Sequence, residues 1–192
     1  IMGNLPSRAA DNLFWLGRYL ERAEATLRLV RALCTTLMDS DAATHGAGET
    51  LEKLQGLLIE WGAVDEEAPG KVVDYAQAAL HDLDSYGSVI RLVQSARRTA
   101  ASMRERLSED FWKLLLNMEK ALLDARQEVL SEAEGLAQAE RALQALATLS
   151  GLAQENMNRT AGWRFLDTGR RIERGINICR CTHVLARSGA TI

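Results

Sequence analysis

Two short phrases carry most of the chemistry in this sequence of 192 residues: Gly17-Arg18-Tyr19-Leu20-Glu21-Arg22 and, 152 positions later, Gly169-Arg170-Arg171-Ile172-Glu173-Arg174. Both read Gly-Arg-x-apolar-Glu-Arg. On a helix, residues three and four apart are neighbours, so Arg18, Glu21 and Arg22 can touch along one side. Arg170, Glu173 and Arg174 repeat that set, with Arg171 added. Two chemistries fit. In the first, which is the leading expectation, the two sets form an ion-pair network between duplicated helices and fix their register. In the second, guanidinium groups are left over and receive a phosphate or a peptide carboxylate, the anions that arginine grips in bidentate fashion. The further candidates for such a pocket are Arg97, Arg98, Arg104 and Arg106, with Arg164 beside Trp163, all converging on Arg18 and Arg170. Glu105, between Arg104 and Arg106, is expected to neutralise its neighbours. Gly17 and Gly169 each stand in a helix interior at a cost of about 1 kcal/mol relative to alanine, which implies close helix approach there.

Other reactive constellations are thin. Cys34, Cys179 and Cys181 lack the spacing of a disulfide framework, and buried, reduced thiols are the default expectation. Cys179 and His183 would share a helix face, the minimum for two metal ligands, but no third and fourth ligand has clear spacing, so no metal is expected. The other histidines are His81 and His45, the latter in a loop. Asn158-Arg159-Thr160 fits a glycosylation sequon. There is no nucleophile elbow, Walker loop, dinucleotide fingerprint or His-Glu metal motif, so neither a cofactor nor independent catalysis is expected. The four tryptophans, Trp15, Trp61, Trp112 and Trp163, are expected to pack in the core. Trp15 and Trp163, which flank the Glu-Arg segments, are the two that could instead anchor a partner.

Charge and composition bound the rest. A net charge of −3 argues against a general nucleic-acid binder, which needs a basic surplus to displace counterions. Nineteen of the 23 basic residues are arginines, a bias that fits either a high-GC coding sequence or a recognition role. Apolar residues make up 47% of the chain, yet no run approaches the roughly 18 needed to cross a bilayer. The first residues do not read as a secretion signal, so a cytoplasmic protein that neither enters membranes nor binds nucleic acid is expected.

The elements that must position the two phrases are all helices. Leu13, Leu16, Leu20, Ala23, Leu27, Val30, Cys34 and Leu37 alternate steps of three and four, a heptad seam on a helix from Ser7, a candidate cap, to Met38. Further helices are expected over Glu49 to Trp61, Lys71 to Leu83, Ser88 to Leu107, and from a cap at Ser108 to Leu130. The fifth buries Phe111, Trp112, Leu115, Met118, Leu122 and Ala125. A capping box at Ser131 and Glu134 starts a helix running to Asn156, and a last helix covers Ala161 to Arg187. Turns are expected at Gly62 to Gly70 and at Asp84 to Gly87. The class is all-α, a bundle of six or seven helices with a duplicated Gly-Arg-x-apolar-Glu-Arg helix.

Three stretches in order, Leu5 to Leu29, Ala96 to Leu115 and Gly162 to Gly175, resemble the alpha-E domain family, an all-helical family with a Glu-Arg motif. The resemblance covers most of the chain. It implies a domain over 1–192 taken from a longer protein, with part of a second unit missing. It also implies association with a circularly permuted ATP-grasp ligase and with transglutaminase-like peptidases, in bacterial peptide synthesis or modification. The helical domain itself would then be a non-catalytic accessory or scaffold. The alternative is a domain that lends anion- or carboxylate-binding arginines to a ligase active site. Oligomeric state is left open.

Overall fold

The computed structural model describes residues 5–40, 46–66, 70–126, 129–157 and 161–187. Seven α-helices follow one another in these segments: α1 Ser7–Ser40, α2 Ala47–Glu60, α3 Val72–His81, α4 Val89–Ala101, α5 Glu109–Ala125, α6 Glu132–Asn156 and α7 Ala161–Arg187. A 3-10 turn, Arg104–Arg106, joins α4 to α5. This is the expected all-α bundle, and one apolar core links all seven helices.

α1 is the axis of the molecule and packs against α7, α6, α4, α2 and α3. Its heptad seam is buried as far as Cys34, and Leu37 is partly buried. Ala10, Thr26, Leu29 and Leu33, which lie off that seam, are buried too. A helix with neighbours on several sides must be apolar around most of its circumference, so burial here is broader than one stripe.

Helix starts follow side-chain chemistry. Ser88 Oγ accepts the Arg91 N–H at 3.4 Å and Ser108 Oγ accepts the Phe111 N–H at 3.1 Å. The capping box at α6 closes both ways: Ser131 Oγ accepts from Glu134 N–H at 3.3 Å, and Glu134 Oε2 accepts from Ser131 N–H at 3.0 Å. At α1 the cap position belongs to Pro6 rather than to the expected Ser7, and the Pro6 carbonyl accepts from the N–H groups of Ala9 and Ala10.

Three helix ends fall short of expectation, each where the chain must reverse. α4 stops at Ala101 instead of Leu107 because α5 folds back against it, and Leu107 has to be extended (φ −110°, ψ 145°) to lead into the Ser108 cap. α5 stops at Ala125 instead of Leu130. Leu130 sits in the core outside any helix, and its N–H donates to Gln77 Oε1 at 3.4 Å. α3 runs only over Val72–His81, because Asp82 is extended and its carboxylate accepts from Ser85 Oγ at 2.6 Å and Asp84 N–H at 2.9 Å, a local turn that competes with the helix.

Trp61 is locked by one such reversal. The chain leaves α2 through Gly62, whose φ of 69° suits glycine, and the Gly87 N–H closes on the Gly62 carbonyl at 3.0 Å. Trp61 is thereby buried, whereas Trp112 and Trp163 are only partly so and Trp15 is 38% exposed, contrary to the core expectation for all four. Ala125, placed in the core from its spacing, is likewise half-buried. His81 is buried, with Nε2 2.7 Å from Gln138 Oε1, tying α3 to α6. The three thiols are free but not uniformly buried. Cys34 is enclosed, and burial, with a smaller push from Glu132, raises it to about 11, while Cys179 is exposed and Cys181 half-buried. His45 and the sequon Asn158 to Thr160 lie outside the described residues. Among the described residues no helix is long and apolar enough to cross a membrane.

Candidate functional site

α1 and α7 run side by side in the same direction, and the two glycines set their separation. A Cβ built on Gly17 would lie 2.2 Å from the Leu166 carbonyl oxygen and 3.2 Å from Arg170 N. A Cβ on Gly169 would lie 2.1 Å from the Phe14 carbonyl oxygen and 3.3 Å from Arg18 N. The offset of 152 maps each of these contacts onto the other, so the two helices are related by a local two-fold axis along their length. Only hydrogen fits between backbones this close, which is what offsets the low helix propensity of glycine.

One turn further on, the carboxylates are exchanged. Glu173 receives Arg22 through two bonds, Nε to Oε1 at 2.8 Å and Nη2 to Oε2 at 3.1 Å, and Arg18 Nε at 2.5 Å. Glu21 receives Arg174 through the same two-bond geometry, at 2.7 and 3.2 Å, and Arg170 Nε at 3.2 Å. Each copy of the phrase thus supplies one acid to the other copy and takes one in return. Neither acid bonds an arginine of its own phrase. Arg18 also lies over the rings of Trp15 and Phe14, at 5.3 and 5.7 Å from their centroids. Glu24 extends the network: it holds Arg28 at 2.5 Å and lies 3.7 Å from Arg170.

The two halves differ in burial. Glu173 is fully buried and its partners Arg18 and Arg22 are 16% and 20% exposed, whereas Arg174, a partner of Glu21, is 55% exposed. Burial alone would raise the Glu173 carboxyl. The bonds from Arg22 and Arg18 and their charges outweigh it, holding the group below the ordinary carboxylate range. Arg174 is raised, first by its bond to Glu21, with burial opposing.

A carboxyl that is lowered on folding contributes stability that is complete above its unfolded value of 4.5 and fades as pH falls through the folded one. Melting temperature is therefore expected to drop on acidification below about pH 4.5, and the drop should be shallower in Glu173→Gln, followed by circular dichroism between pH 6 and 3.

The remaining candidates do not join this cluster. Arg97 pairs with Glu119 of α5 at 2.5 Å, and Arg98 bonds Ser95 Oγ at 3.2 Å. Arg104 pairs with Glu109 and lies 5.3 Å from the Trp112 ring centroid, and Arg106 faces Glu105 at 3.7 Å. Arg164 is exposed on α7, and Trp163 beside it is half-buried. None of these arginines bonds a member of the clasp: α5 supplies the acids for Arg97 and Arg104, and Arg98 and Arg106 take neighbours close in sequence. Among the described residues no group of three or more His, Cys, Asp or Glu side chains could hold a metal, and Cys179 and His183 are both exposed.

Two polar groups near the clasp escape a reading by motif. Asn177, one turn beyond Glu173, is buried with neither amide atom hydrogen-bonded, and Trp61 Nε1 is buried without a partner. No sequence signal singles out the first. Under the 152 offset the match ends at Arg22 and Arg174, and Asn177 opposite Ala25 is one of several positions beyond it that differ.

Residues 5–191 match the profile of the Alpha-E family, described as "a predicted alpha-helical domain with a conserved ER motif". Similar relatives are uncharacterised proteins of Mycobacterium tuberculosis and Mycobacterium bovis, each 32% identical over 186 residues and aligned to 88% of this chain. The chain spans only about a fifth (21%) of the length of these relatives. No solved structure matches significantly.

Proposed function

This chain belongs to the Alpha-E family, and from that premise we propose that it is a non-catalytic helical accessory or scaffold domain in a bacterial peptide synthesis or modification system, docking with a circularly permuted ATP-grasp ligase. The observation that carries this reading is that both motif carboxylates are taken up by the arginines of the other helix. Charges held in that way set helix register, and they leave neither acid free for proton transfer. A docking domain also needs an apolar surface. α7 offers one, with Phe165 (42% exposed), Ile172 (44% exposed) and the exposed Cys179 at seven-residue spacing along one flank.

The test is titration of the purified chain with the ATP-grasp ligase encoded in the same polypeptide or operon, read by calorimetry. A one-to-one complex is expected, weakened at least tenfold by Ile172→Asp, a change outside the clasp. Absence of a complex overturns the reading. A transglutaminase-like peptidase serves as the second partner to titrate.

The anion-binding alternative has one observation in its favour. Asp167, Arg170, Arg171 and Arg174 line a hollow of about 400 Å³ on the surface of α7, where the Arg171 side chain, though paired with Asp167 at 2.6 Å, is 76% exposed. Stabilisation by phosphate that is lost in Arg171→Ala would favour this second reading.

A further inference from the structure

Beyond the clasp, residues of α1 and α7 line with Trp61 a groove of about 360 Å³. Its walls are largely apolar, with Ala25 and Leu29 on one side and Ile178 and Leu185 on the other. Two buried polar groups line it. Asn177, 7% exposed, has an unpaired amide nitrogen and an unpaired amide oxygen, and Trp61, 2% exposed, has an unpaired indole N–H. Buried polar atoms are normally satisfied, and each that is not costs about 1–3 kcal/mol, so two such side chains in one groove wall mark where a guest completes the bonding.

The donor set specifies the guest. Asn177 offers one donor and one acceptor side by side, which matches the N–H and C=O of a peptide unit. The Trp61 N–H is suited to a second carbonyl. The charged residues that line the groove pair off, Glu24 with Arg28 at 2.5 Å and Glu21 with Arg174 at 2.7 Å, and Arg180 lies 5.8 Å from the Trp61 ring centroid. With the lining charges paired among themselves, the apolar walls select the guest and call for an aliphatic side chain.

We infer that the groove between α1, α7 and Trp61 is a binding site for a neutral peptide segment, which presents a main-chain amide to Asn177 and a branched aliphatic side chain to the apolar walls. The site involves neither the ligase nor the exposed flank of α7 through Phe165 and Ile172. It therefore stands or falls separately from the docking reading.

The probe is N-acetyl-L-leucine N-methylamide, titrated into the 192-residue chain and followed by proton–nitrogen NMR. The expected result is saturable shifts of the Trp61 indole and Asn177 side-chain signals. Asn177→Leu should weaken binding at least tenfold while leaving the melting temperature unchanged or raised, since it removes an unsatisfied amide. Trp61→Phe keeps an aromatic ring and removes the donor, so it should weaken binding severalfold and serves if the first variant misfolds. No saturable shift, equal binding by both variants, or binding of acetate in preference to the neutral probe would overturn the proposal.

Discussion

Alanine at position 17 lowers the stability of this protein by about 2–4 kcal/mol, a fall in melting temperature of roughly 4–16 °C for a chain of this size. Intrinsic propensity predicts the opposite sign, because glycine to alanine in a helix interior gains about 1 kcal/mol. Geometry decides between the two. The new Cβ meets a backbone carbonyl at 2.2 Å, and backbone cannot rotate away as a side chain can. α7 must retreat by about an ångström, since relaxed carbon–oxygen contacts need more than 3 Å. That retreat also stretches the charge-assisted bonds one turn further on. Gly169→Ala meets the Phe14 carbonyl in the same way and should match it. The control is Gly175→Ala on the same helix, where a Cβ has nothing within 4 Å and propensity acts alone, so a small gain is expected. Thermal melts of the three variants separate close approach from helix propensity.

Glu173→Gln has the second large effect, a loss of about 3 kcal/mol. Glutamine keeps the shape and can still accept hydrogen bonds, but two guanidinium groups lose their counter-charge. Removing one partner of a buried pair costs about 3–5 kcal/mol. The lower end applies because Arg18 and Arg22 keep 16% and 20% of their surface. Glu21→Gln disturbs the equivalent pair, yet Arg174 is 55% exposed and water compensates part of the change. Its cost is about half as large. The two phrases are alike in sequence, so a clear difference between the two variants reports their unequal burial.

Much of this was legible in the residues. Alternating steps of three and four from Leu13 to Cys34 and the caps at Ser108 and Ser131 are local features, and such features pointed to a bundle of six or seven helices, of which seven form. The repeat of Gly-Arg-x-apolar-Glu-Arg also pointed to an ion-pair network between two helices, and the acids and arginines of α1 and α7 form one. Three things were not legible. Reversal points such as Ala101 and Ala125 depend on where the next helix packs, which periodicity does not contain. The fate of Arg97 and Arg104 depended on Glu119 and Glu109, which only the α4–α5 hairpin brings close. The groove at Asn177 arises because α2 ends with Trp61 beneath two helices from opposite ends of the chain, a juxtaposition that no spacing rule encodes.

The central claim is that the two phrases hold α1 to α7 by exchanging carboxylates, and a double-mutant cycle on Arg22→Gln and Glu173→Gln tests it most directly. Side chains 151 positions apart in sequence have no reason to couple unless they meet. Chemical denaturation of the wild type, both single variants and the double variant is predicted to give a coupling energy of about 2 kcal/mol, within the range for charged residues in direct contact. Additive effects, with coupling below about 0.5 kcal/mol, would contradict the exchange and leave the repeated phrase without its structural role.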